Sequence, residues 1–198
     1  MSLRQVILAA STVVALALTA GCTVRVGGDE DNDGAQVFGE ENSMQWDLTR
    51  PLEAESLGLP ADKMVIVTVP EDATVSLTLP SGTWSGRTEE MTVTTRRGFV
   101  DSVDLFWTEA DGQAAADRMV ADAALLGVDA ARVAEWAETA RWAETADTNR
   151  SRTDANYNGA NGEVSTAIKP SMAVGEGPGT PVRLWYMFYV RDVVETAG

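Results

Sequence analysis

Hydrophobic positions recur along this chain with two different periods. Between Lys63 and Thr108 they alternate with polar ones, and from there to Ala146 they return every three or four residues. The first period belongs to strands, the second to helices. Lys63 to Val69 is rich in β-branched residues and predicts a strand on a buried sheet, ended by Pro70. Thr74 to Leu79 sets Val75, Leu77 and Leu79 against threonine and serine, the pattern of a half-buried strand. Ser81 to Gly86 is a turn cluster. Glu90 to Thr95 and Phe99 to Thr108 supply two more strands. In the second, Phe99, Val103, Leu105 and Trp107 share a face with Asp101, an acid whose place marks a sheet edge or a bulge.

The helical part opens at Thr108, which has the character of an N-cap with Asp111 three residues on. Ala116, Met119, Val120, Ala123 and Leu126 form one stripe, and Gly127 stops the helix. Asp129 caps a second helix running to about Ala146. In it Trp-Ala-Glu-Thr-Ala occurs twice, placing Trp136 and Trp142 about 120° apart around the axis. Trp136 is expected inward and Trp142 at a rim. Asn158-Gly159 and Asn161-Gly162 predict turns before a strand from Glu163 to Lys169, and Gly175 to Gly179 predicts a hairpin connection. Val182 to Val194 is the strongest strand signal. It sets Leu184, Tyr186, Phe188 and Val190 on one face and Trp185, Met187 and Tyr189 on the other. Two apolar faces predict an interior strand covered on both sides over its middle. Should one face be uncovered, the Trp185 and Tyr189 side is the candidate ligand groove. The element order predicts an α+β fold: an antiparallel sheet of about five to six strands, with a helix pair inserted after the fourth strand.

The first residues follow other rules. Met1 to Gln5 carries Arg4, Val6 to Leu18 is apolar except for Ser11 and Thr12, and small residues follow. This is the layout of a secretory signal, and it is shorter than the roughly 20 residues a membrane span needs. Leu18-Thr19-Ala20-Gly21-Cys22 resembles the lipobox of bacterial lipoproteins, and Cys22 is the only cysteine. The resemblance implies that residues 1–21 are removed and that Cys22 receives a diacylglycerol. The protein would then be anchored at the outer face of the cytoplasmic membrane, because a second acyl chain makes anchoring stable. Residues 22–45 are rich in Gly, Asp, Glu and Asn and predict an acidic flexible tether, with a reach of about 25 Å as a random coil. Residues 46–198 are expected to form a single α+β domain.

Charge narrows the partners. The chain has 15 basic and 30 acidic residues. Removing residues 1–21 takes one base, leaving 14 against 30, or −16. Such a surface repels nucleic acid and anionic headgroups. With no second cysteine, no internal disulfide forms. The chain contains no histidine, which removes the commonest general base and metal ligand.

Three patterns carry candidate chemistry. Asp29-Glu30-Asp31-Asn32-Asp33-Gly34, closed by Glu40, matches a calcium loop. Asp29, Asp31, Asp33 and Glu40 would supply side-chain oxygens and Ala35 its carbonyl. The flanks lack helical character, and an acidic tether matches such a pattern readily. Ser81 to Gly86 has the order G-x-x-S-G rather than that of a nucleophile elbow, and no histidine exists to complete a triad. Asp101, Asp104, Glu109 and Asp111 are candidates for a carboxylate hydrolase, provided that two of them meet in one cleft. The reading that best fits these absences is a non-enzymatic, lipid-anchored envelope protein that binds an envelope protein or a small ligand. A carboxylate hydrolase and a calcium-binding module are the alternatives.

Overall fold

The computed structural model describes residues 35–196, and they form an α+β fold built on two sheets. Its elements are β1 (Ser43–Asp47), β2 (Met64–Val67), β3 (Thr74–Leu79), β4 (Gly82–Arg87), β5 (Glu90–Arg96), β6 (Phe99–Glu109), α1 (Gly112–Leu126), α2 (Ala130–Ala134), α3 (Trp136–Thr145), β7 (Arg152–Asp154), β8 (Tyr157–Asn161), β9 (Val164–Ala173), β10 (Val182–Tyr189) and α4 (Arg191–Thr196). The larger sheet is antiparallel, with strand order β2-β5-β6-β10-β9-β7, and β8 also pairs with β9. The smaller sheet has the order β1-β3-β4, with β1 parallel to β3.

Alternation explains how the layers meet. Val103, Leu105 and Trp107 of β6 and Leu184, Tyr186 and Phe188 of β10 are buried on one face of the larger sheet. Trp84 of β4 inserts against Trp107, Tyr186 and Phe188, with ring centroids 5.5–6.0 Å apart. A buried indole removes about 150–250 Å² from water, so this one residue does much to join the sheets. α1 lies beside it, touching β4, β6, β8, β9 and β10. One face of the larger sheet is therefore covered by the small sheet and the helices.

Several expectations are corrected. Ordered packing starts by Ala35, inside the expected tether. Ala35 is buried and joins the edge of β2, donating N–H to the Ile66 carbonyl at 3.1 Å and accepting from Thr68 N at 2.9 Å. Met44 and Trp46 then fill the core from β1. Six strands precede the helices, not four. β1 lay hidden in the acidic stretch, and β4 was read as turn because Trp84 is its only large apolar side chain. The cap of α1 is Asp111, which accepts from Ala114 N at 2.8 Å, because Thr108 remains in β6 opposite Arg183.

The second predicted helix is divided at Glu135 into α2 and α3, while Asp129 caps it as expected. Asn158-Gly159 lies within β8 rather than in a turn. β9 continues through Pro170, whose carbonyl faces Ala155 in the gap between β7 and β8. A strand residue points its N and O to the same side, so the missing N–H of Pro170 falls where the ladder is already broken. β10 ends at Tyr189 and gives way to α4. It is interior to the sheet, with Leu184, Tyr186 and Phe188 buried on one face; on the other, Met187 at the middle is buried while Trp185 is half-buried and Tyr189 exposed.

The register of β6 also shifts. Ser102 pairs with Thr94 and Val100 with Thr95, so Asp101 is the extra residue of a bulge. The slip takes Phe99 off the core face and puts Val100 on it.

Candidate functional site

The face of the larger sheet opposite the core is met by no other layer among the described residues. Its middle is built by β10, which directs Arg183, Trp185, Met187 and Tyr189 away from Leu184, Tyr186 and Phe188. The register sets Trp185 beside Phe106 on one side and Lys169 on the other. The two rings stack, with centroids 5.2 Å apart and planes inclined by 24°. The Lys169 ammonium lies 4.7 Å from the centre of Trp185, and the Arg183 guanidinium 5.1 Å from the centre of Phe106. These are attractive cation–π distances. Arg183 reaches across Phe106 to pair with Glu90 at 2.6 Å.

One row along, Met187 faces Asp104. The Asp104 carboxylate accepts from Trp185 Nε1 at 3.1 Å, Thr92 Oγ1 at 3.3 Å and Ser102 Oγ at 3.5 Å. Burial pushes its carboxyl above the ordinary range, against the pull of those hydrogen bonds. Tyr189 donates to Met187 Sδ at 3.2 Å. Its phenol is raised by burial and then by the negative charge of Asp104. At the β2 edge Met64 and Ile66 are 70% and 63% exposed, so the face ends in an apolar rim.

A cleft of about 240 Å³ opens beside the stacked rings, lined by Phe106, Trp185, Lys169, Ser171, Arg183 and Asp154. Both candidate ligand-binding residues stand on this face, but only Trp185 lines the cleft. Tyr189 lies four residues further along β10. Sequence reasoning missed Phe106, Lys169, Asp154 and Ser171 because strand pairing brings them together. The signal within reach was the alternation of β6, which already set Phe106 opposite Leu105 and Trp107.

The other candidates fall elsewhere. Cys22, Asp29, Asp31 and Asp33 lie outside the described residues, as does the side chain of Glu40. The Ala35 carbonyl, the main-chain ligand of the proposed calcium loop, accepts from Thr68 N, and the chain after Glu40 enters β1 rather than a helix. Among the described residues no group of three or more Asp, Glu, His or Cys is placed to hold a metal ion. Each of the four hydrolase candidates has a structural partner. Asp101 is bound by Arg191 at 3.0 and 2.9 Å, and Asp104 lies under Trp185. Glu109 accepts from Trp107 Nε1 at 2.8 Å, and Asp111 caps α1. No family model, no curated protein and no solved structure matches this chain.

Proposed function

We propose that this is a lipid-anchored protein of a bacterial envelope, held outside the cytoplasmic membrane through Cys22, that binds its partner or ligand on the open face around Trp185. The anchor rests on the resemblance of residues 18–22 to a lipobox. The binding role rests on one observation. The strand with the strongest apolar pattern carries Trp185 on an uncovered face, beside Phe106 and a cleft lined by two cations. Aromatic residues beside cations are the usual anchors of a recognition surface. No described helix is long and apolar enough to cross a membrane, so attachment would fall to the lipid. That Asp101, Asp104, Glu109 and Asp111 each bond a structural partner favours the binding role over a carboxylate hydrolase.

The test has two arms in the producing bacterium. Cells fed an alkynyl palmitate should label the wild-type chain and leave the Cys22→Ser variant unlabelled. A photo-crosslinking residue at Tyr189 should form adducts with an envelope component, and one at Glu138 on α3 should not. An unlabelled wild-type chain removes the anchor. Equal adducts from both positions remove the binding face.

A further inference from the structure

We propose that the cleft between Lys169 and Arg183 binds a small monocarboxylate that also carries hydrogen-bond donors, of the size of a uronic acid or an amino acid. The inference rests on the open face being a binding face and deepens that reading by naming the ligand chemistry.

Lys169 is one of two lysines in a chain with 30 acids, and among the described residues no carboxylate comes within ion-pair distance of it. It is held over an indole instead. An ammonium carries three donors, and the π-face takes none of them in a directed bond, so Lys169 remains equipped to meet an anion. Arg183 gives one of its five N–H donors to Glu90 at the rim. Together the two cations flank the cleft from neighbouring strands.

The same cleft contains an acceptor. Asp154 lines it, and among the described residues its carboxylate takes no side-chain hydrogen bond or ion pair. Ser171 Oγ accepts from Arg152 Nε at 3.1 Å and keeps its own proton to donate. Trp185 adds no donor, because its N–H is committed to Asp104, and its ring is flanked by Phe106 and Lys169. The indole is therefore an apolar wall. A ligand that answers this lining brings one negative charge for Lys169 and donors for Asp154. Inorganic phosphate answers it poorly, since a second negative charge would be set against Asp154. The cleft, about 240 Å³ and open to solvent on one side, has room for one sugar or amino acid unit.

A uronate would offer hydroxyls to Asp154 and an amino acid an ammonium, and titration separates them. The whole chain, purified in detergent, is titrated with glucuronate, alanine, glucose and inorganic phosphate, following tryptophan fluorescence and heat. Glucuronate or alanine should bind saturably, at least about tenfold more tightly than glucose or phosphate. Lys169→Met should weaken that binding by about tenfold or more. Arg183→Lys should weaken it with the far-ultraviolet circular dichroism unchanged, and Trp185→Phe should abolish the fluorescence response while some heat remains. Binding of glucose or phosphate as tight as that of either carboxylate overturns the assignment, and so does a Lys169→Met variant with wild-type affinity. If no carboxylate binds in the millimolar range while Tyr189 crosslinks still form, the ligand class is wrong and the binding face stands. If both fail, both are wrong.

Discussion

Asp101 and Asp104 stand three residues apart on β6 and are held in opposite electrostatic settings. Arg191 grips both oxygens of Asp101 and keeps its carboxyl below the ordinary value of 3.8. Asp104, tucked under Trp185, is raised above that value by burial. One strand thus carries two acids whose effects on stability run in opposite directions with pH.

For Asp101 the folded state holds the proton less tightly than the unfolded chain does. Its pairing stabilises the fold above the unfolded value, and that contribution is lost as pH falls through the depressed folded value. For Asp104 the folded state holds the proton more tightly. It favours folding at acid pH and opposes it as pH rises from the ordinary value through the raised one. Urea unfolding of Asp104→Asn should therefore show a gain relative to wild type that grows from acid to neutral pH. Asp101→Asn should show a loss that grows at lower pH, from the depressed folded value up to the ordinary one, and stays level above it. Asp104→Ala should cost about 1 kcal/mol at acid pH by leaving the Trp185 N–H without its acceptor. A pH-independent difference for Asp104→Asn would contradict the burial argument.

Trp84 is where the two sheets are joined, and it lies in a segment whose sequence reads as turn. Trp84→Ala removes the contacts with Trp107, Tyr186 and Phe188 at once and leaves a cavity that two sheets cannot readily close. The expected loss is about 3–5 kcal/mol in chemical denaturation, with Trp84→Phe milder. Arg118, whose guanidinium lies 5.5 Å from the Trp84 ring and 5.8 Å from Trp107, should lose order in the alanine variant. A loss below about 1 kcal/mol would show that the small sheet is held by other contacts.

What the sequence made legible follows from where side-chain contrast exists. β3 alternates Val75, Leu77 and Leu79 against threonine and serine, so its core face could be read directly, whereas β10 is large and apolar on both faces and its pattern did not say which one the core would take. β4 has a single large apolar residue between glycines, serine and threonine, so its strand character comes from pairing with β3, a relation outside the local pattern. Phe106 and Lys169 stand 63 residues apart in sequence and meet around Trp185 only because β10 lies between β6 and β9. The Asp101 bulge was foreshadowed by an acid on an apolar face. Its consequence, the exchange of Phe99 for Val100 in the core, depends on the register with β5.

Gly127 ends α1 in the left-handed conformation, with φ of +64°. Val128 N donates to the Ala123 carbonyl at 2.9 Å, the bond expected of such a cap. A methyl group here would strike the Ala160 carbonyl of β8, so no alternative backbone relieves both problems. Gly159 approaches the same turn from the other side, where a methyl would meet the Leu126 and Gly127 carbonyls. Gly127→Ala should cost more than the roughly 1–2 kcal/mol of a left-handed residue alone, because β8 must also move. Gly159→Ala, with no left-handed backbone to strain, isolates the steric part. Amide exchange should show β8 and the last turn of α1 opening together in both variants. A Gly127→Ala cost of about 1 kcal/mol would mean that β8 yields without resistance.

The two copies of Trp-Ala-Glu-Thr-Ala offer the closest internal comparison. Trp136 begins α3 fully buried with Val133 and Ala140, whereas Trp142, six residues on, is 49% exposed. Identical local sequence therefore meets opposite surroundings, and the difference is one of helical phase, since six residues advance the helix by about 120° short of full turns. Trp136→Ala should lose about 3–5 kcal/mol, as a buried indole does. Trp142→Ala should stay within about 0.5 kcal/mol of wild type, as exposed substitutions do. Urea midpoints for the two variants, measured with a common slope, decide the matter. Comparable losses at both positions would place Trp142 in a packing contact that the described residues do not provide.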